Sequence, residues 1–165
     1  MRLLDPEIRR ASIDAGIRAA RYPGHDPARW ALPLIDEIER RTPHWTLVEL
    51  DAVEFGGLWL AAHRGEACHG DTARLGERPD GGSVSDLAAW LDRHADAYAS
   101  GNPSCWGRLI QAGADRAGAL VISETDVGDR IKPPSVPLVV VDGMHRAVAW
   151  WRRGDRTCRA YLAGP

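Results

Sequence analysis

The sequence is short of lysine: of its 21 basic residues only Lys132 is a lysine, and the rest are arginines. It has three cysteines, two methionines and one phenylalanine. No apolar run approaches the roughly 18 residues that a membrane-crossing helix needs, so no transmembrane segment is expected. The N-terminus, MRLLDPEIRRASID, carries acids and arginines where a secretory signal would have its apolar core. Cys68, Cys105 and Cys158 are odd in number and widely spaced, with no CxxC or Cys–His pair at zinc spacing. That argues against a disulfide scaffold, and with the missing signal it points to a reducing cytoplasm, in which each thiol reads as a buried, indifferent cysteine or, as the rarer alternative, a catalytic one. Excess charge is absent too. A net charge of −2 excludes a bulk polyanion binder, so neither nucleic acid nor a membrane is an expected partner. The arginine bias fits a GC-rich genome; the alternative is that some arginines are forks for phosphate or carboxylate.

What is present reads as one mixed α/β domain. Its 165 residues are enough to bury a core. Residues 5–21 predict a helix with Asp5 as N-cap and Pro6 at the first position, and 27–41 predict a second. Residues 45–50, WTLVEL, predict a strand. GLWLAA at 57–62 is too short to assign to strand or helix, and the polar, Gly-rich stretch 63–83 reads as a long surface loop or flap. Ser85 is the expected cap of a helix over 86–98, which Gly101-Asn102-Pro103 breaks before a shorter helix over 104–112. ALVIS at 119–123 predicts a strand, and 124–137 a charged loop. PLVVV at 137–141 predicts a central strand buried on both faces. A helix over 144–153 and a strand over 157–162 complete the chain.

One stretch carries chemistry: VVVDGMHRAVAWWRRGDRTCRAYL, residues 139–162. A buried strand runs into Asp142-Gly143 and directly into a helix. Glycine permits the tight turn, and a helix start offers backbone N–H donors and partial positive charge. His145 and Arg146 fall in that first turn and Asp142 at the strand end, a set suited to holding a phosphate. The plain alternative is a cap, a turn and two surface side chains.

This stretch, with PSVPLVVVDGMHR at 134–146, resembles the signature of the ParB/sulfiredoxin superfamily, in which an apolar strand leads through an Asp/Gly-x-His-Arg turn into a helix and a closing strand. WTLVELDAVEF at 45–55 is similar, more loosely, to the opening strand of that superfamily. The resemblance implies a small mixed sheet with flanking helices, a core over 44–165 and a helical N-terminal extension over 1–43. It implies a nucleotide, ATP or another nucleoside triphosphate with Mg²⁺, whose phosphates sit on the turn. Carried over, Gly143, Met144, His145 and Arg146 would bind the phosphates, and Asp142 would orient the turn or the ion. Glu54, after the opening strand, falls where the free-serine kinases of this fold place a catalytic carboxylate. Asp142, His145 and Glu54 are therefore the expected catalytic set, in a kinase-like phosphotransferase acting on a small metabolite or peptide.

The departures are informative. Met144 stands where sulfiredoxins carry a catalytic cysteine and where the serine kinases favour a second histidine. Sulfinic-acid repair is therefore not expected. The helix-turn-helix that follows the motif in partition proteins is not expected after Pro165. A non-catalytic nucleotide-binding module and a ParB-like nuclease or DNA-associated protein remain the alternatives. Glu124 and Asp126 are further candidate acids; each also reads as a solvated loop acid. His63, Cys68 and His69 read as polar surface or, less commonly, as metal ligands, and no metal site is expected. Of the seven tryptophans, adjacent Trp150 and Trp151 must point in different directions, one inward and one toward a partner or base. Arg152 and Arg153 suit the end of a helix.

Overall fold

A computed structural model describes residues 1–19, 26–61, 81–114 and 118–164. Strand β1 (Arg2–Asp5) is followed by helices α1 (Arg10–Ala19) and α2 (Pro27–Glu39), then β2 (His44–Leu50), α3 (Ala52–Gly57) and β3 (Trp59–Ala61). Next come β4 (Gly81–Ser83), α4 (Val84–Gly101) and α5 (Pro103–Ala114). The chain closes with β5 (Leu120–Ser123), β6 (Val139–Asp142), α6 (Met144–Arg152) and β7 (Cys158–Gly164). The strands form one sheet in the order β1-β2-β7-β5-β6-β3-β4, antiparallel except for the β3–β6 and β5–β7 pairs. This is the α+β class expected, with a mixed sheet.

Both faces of the sheet are covered, and strand alternation decides which side chain goes where. Leu120, Ile122, Val140, Ala160 and Leu162 face a core shared with α3, α4, α5 and α6. Their neighbours Val121, Val141 and Ala163 face a second core with Ile13 and Ile17 of α1 and Ile35 and Ile38 of α2. Two-sided burial explains the uninterrupted Val139-Val140-Val141 run, since a strand with no solvent face has no place for alternate polar residues.

The first 43 residues are not simply a helical extension. Asp5 is not a helix cap: residues 2–5 pair with β2 as an edge strand, and Arg2 meets Glu49 at 2.6 Å. The Asp5 carboxylate accepts the Glu7 backbone N–H, and the helix begins five residues later at Arg10. Helices α1 and α2 then cover one sheet face. Arg10 joins them, bonding Asp14 on its own helix and Asp36 and Glu39 on α2, each at 2.6 Å. Partial burial opposes that charge, but the hydrogen bonds to Asp14 and Asp36 and the fields of Asp14 and Glu39 outweigh it and hold the guanidinium above its ordinary pKa.

The ambiguous 57–62 stretch divides at Leu58, with α3 before it and β3 after it. Ser83, not Ser85, caps α4 by accepting the Asp86 N–H, while the Ser85 hydroxyl donates to the Gly56 carbonyl. Residues 81–83, expected in the loop, form β4 against β3; the remainder of the expected flap lies outside the described residues.

Candidate functional site

Strand β6 carries Asp142 at its carboxyl end, and Gly143 turns the chain into α6 with φ of +94°. Only glycine takes that conformation without strain, and space forbids a side chain as well. A Cβ on Gly143 would lie 2.7 Å from Leu120 Cδ2 and 3.0 Å from Arg146 Nη2. The residue type is therefore fixed by the turn and by close approach together.

Arg146 is turned inward. It is 4% exposed, and its Nη2 donates to Asp142 Oδ2 at 2.8 Å. Its guanidinium packs against Gly143 and against Gly118, another left-handed glycine, where a Cβ would sit 2.9 Å from Nη1. Trp150 covers it, with the guanidinium carbon 6.0 Å from the ring centroid. Arg146 thus braces the turn, and Asp142 is occupied as its counter-ion. Met144 is buried as well. His145 is only half-buried, and its Nε2 lies 3.2 Å from Cys105 Sγ.

That last contact brings in Cys105, one of the three cysteines, together with Tyr98 and Asn102, which the sequence did not single out. Cys105 stands in the first turn of α5 and is buried. Its sulfur also accepts a hydrogen bond from the Tyr98 hydroxyl of α4 at 3.0 Å. One residue before α5, buried Asn102 donates from Nδ2 to the Tyr98 carbonyl at 3.4 Å. Its Oδ1 is buried without a hydrogen bond among the described residues. Three helices therefore meet at one thiol. The sequence hides this because Tyr98 and Cys105 lie about 40 or more positions before His145, and no spacing rule links them. Cys158 is the other described thiol: burial first, then the negative field of Glu49, pushes it up to about 12.

The expected acids are not brought to the turn. Glu54 closes a capping box on α3, its carboxylate accepting the Asp51 N–H at 3.0 Å while Asp51 accepts those of Val53 and Glu54. Those bonds, the Glu54 N–H first, hold the Asp51 carboxyl below its usual value. Glu54 also pairs with the N-terminal amine. Its helix packs at the far end of α6, where the Trp151 ring meets Phe55 edge-on at 5.5 Å and lies over Gly56. That end is nearly the whole helix away, about 10 Å along the axis from the turn. Glu124 and Asp126 follow the opposite end of the strand pair from Asp142, because β5 runs antiparallel to β6 and pairs Val121, not Ser123, with Asp142. Asp126 there accepts the Lys132 N–H at 3.1 Å.

Trp150 and Trp151 do point apart, and both pack within the chain: Trp150 is buried, and Trp151 lies under the Arg156 guanidinium at 4.3 Å. Arg153 bonds the Gly113 carbonyl at the end of α5, and Arg152 meets Asp92 at 2.7 Å. His63, Cys68 and His69 lie outside the described residues. Among the described residues no three His, Cys, Asp or Glu side chains converge as a metal site.

A family model matches residues 28–165, from the start of α2 through the turn to the end of the chain. The chain belongs to DUF6309, a family of unknown function. No curated protein and no solved structure matches it. The matched span holds the whole α4–α5–α6 side of the DUF6309 chain, with the Gly143 turn and the Cys105–His145 contact both inside it. No helix among the described residues is long and apolar enough to cross a membrane.

Proposed function

We propose that this is a cytoplasmic enzyme that binds a nucleoside triphosphate, ATP in the first instance, at the start of α6. It would use the nucleotide to phosphorylate or activate a small metabolite or peptide. The observation that supports the reading is the turn itself. A left-handed glycine, incompatible with any side chain, places a helix N-terminus at the carboxyl end of a buried strand. Helix starts of this kind favour anions through their dipole and backbone donors.

Within that reading Gly143 gives the phosphates close access to the backbone, and half-buried His145 is the side chain nearest the ligand. Arg146 acts from behind: it is held by Asp142 and fixes the geometry of the turn while adding a charge at short range. The residues fit a nucleotide better than a protein-caged ion. Asp142 is already paired, so Mg²⁺ would be held chiefly by the phosphates and water, where it supplies charge neutralisation. Resemblance to the ParB/sulfiredoxin superfamily supports the same assignment, and Met144 still weighs against sulfinic-acid repair.

The test is calorimetric titration of ATP and CTP with Mg²⁺ into wild type, His145→Ala and His145→Glu. The acidic variant keeps a residue favourable to the helix dipole while repelling phosphate. At least tenfold weaker binding in His145→Glu is expected, equivalent to about 1.4 kcal/mol. Equal affinity in all three, or no binding by wild type, would remove the phosphate turn. Incubation with ATP and a metabolite panel separates an enzyme from a binding module by the appearance of a phosphorylated product.

A further inference from the structure

The Cys105–His145 contact supports chemistry that does not depend on the nucleotide. We propose that Cys105 is a nucleophile, activated by His145 and Tyr98, that takes an acyl group from a small activated acyl donor such as a thioester or ester.

Three independent elements place their polar groups on one sulfur: α4 through Tyr98 Oη at 3.0 Å, α6 through His145 Nε2 at 3.2 Å, and α5, which carries the thiol in its own first turn. Each of these favours sulfur as the anion, against the burial that disfavours it. The imidazole can take its proton, the phenol donates to it, and the helix start lends it partial positive charge. A buried cysteine kept only for packing has no need of any of them. Asn102 adds a second feature: its buried Oδ1 accepts nothing among the described residues, although a buried acceptor without a donor is costly. It stands at the start of the helix that carries Cys105, one turn away, as an acceptor suited to a donor on an incoming group. Cys105 itself is buried and half-buried His145 lies beside it, which confines the donor to a small molecule approaching along the imidazole.

The step balances. The Sγ proton passes to His145 Nε2, and the thiolate pair forms a bond to the acyl carbonyl carbon. The bond from that carbon to the leaving group breaks, and the departing thiol or alcohol takes the proton from Nε2. Water or an amine then attacks the thioester, giving its proton to His145, and Sγ recovers a proton as the acyl group leaves. Tyr98 and Asn102 are positioning residues; only Cys105 and His145 would touch reacting atoms.

The experiment exposes the folded protein, without nucleotide, to p-nitrophenyl acetate and separately to iodoacetamide at about pH 6, where an unassisted thiol is almost wholly protonated. Peptide mass spectrometry then locates the label. One acetyl group on Cys105, with a matching burst of p-nitrophenol, is expected. Carboxamidomethylation of Cys105 should be at least tenfold faster in wild type than in His145→Ala, and severalfold slower in Tyr98→Phe. Cys158 reports on folding: in the intact sheet it is buried beside Glu49 with no base against it among the described residues, and it stays protonated and unlabelled. An unlabelled Cys105, or equal rates in wild type and in variants whose Cys158 stays protected, would overturn the proposal. Because no nucleotide is present, this result is independent of the phosphate turn.

Discussion

The residue that departs most from its expected use is Arg146. A guanidinium beside a helix start reads from sequence as a fork held out to phosphate, because sequence shows the neighbours but not the rotamer. In the fold it is buried beside one carboxylate and two left-handed glycines. Removing one member of a buried pair strands the other, so Arg146→Ala should destabilise by about 3–5 kcal/mol in urea unfolding. The Asp142→Ala/Arg146→Ala double variant should lose clearly less than the sum of the single losses. Additive losses would mean that the pair is not coupled. Gly143 and Gly154 make a second comparison. Both have strongly positive φ, but a Cβ at Gly154 meets open space while one at Gly143 meets Leu120 and Arg146. Alanine should cost about 1–2 kcal/mol at Gly154 and more at Gly143, where a clash adds to the strain. Equal costs would show that backbone strain alone selects glycine at the turn. Gly143 was legible as a turn residue from the Asp-Gly pair. The partner of His145 was not, because contact between helices distant in sequence leaves no local pattern.

At the scale of elements, the C-terminal strand–turn–helix–strand segment was the most legible part, since Val139–Val141 has the apolar run of a two-sided strand and α6 begins at the glycine. Its pairing was not. Strands β6 and β7 are not neighbours but flank β5 from either side, a choice made by tertiary packing. The start of α4 shows another limit. Ser83 and Ser85 are equally good caps by residue type, and the pairing of β3 with β4 decides for Ser83. Ser83→Ala should therefore cost about 1 kcal/mol in denaturant unfolding, with the slope of the transition unchanged. In β7, burial and Glu49 raise the Cys158 thiol from 9.0 to about 12. Between those values the unfolded chain loses this proton and the folded chain keeps it. Its contribution is fully present below pH 9.0 and is lost as pH rises toward about 12. Stability should fall across that window by up to about 1.4 kcal/mol per pH unit, and Cys158→Ala should flatten the slope. An unchanged slope in the variant would assign the alkaline loss to other groups.

For the whole molecule, the N-terminal 43 residues were read as an appendage because their helices have no counterpart in the resembled fold. Packing gives them a structural task instead. They supply the edge strand β1 and the helical layer that buries Trp45, Val121, Val141 and Ala163. A sequence shows that α1 and α2 each carry an apolar face, but not that the central strands lack a cover without them. The family match begins inside this layer, at residue 28, so α2 lies within it and β1 and α1 do not. Two truncations separate the contributions. A chain starting at residue 27 loses β1 and α1, including buried Ile13 and Ile17, but keeps Ile35 and Ile38 over the sheet. It should fold with a clearly lower urea midpoint. A chain starting at residue 44 uncovers a strand whose residues are apolar on both sides, and a bare apolar face of that kind drives association. It should bind a hydrophobic dye and elute as aggregate on size exclusion. Within the intact protein, Ile35→Ala should cost about 2–5 kcal/mol, the range for emptying a packed core position. If the chain from residue 44 were instead monomeric and as stable as the full protein, the N-terminal layer would be dispensable, and the site at α6 would be held by the α4–α5 side alone.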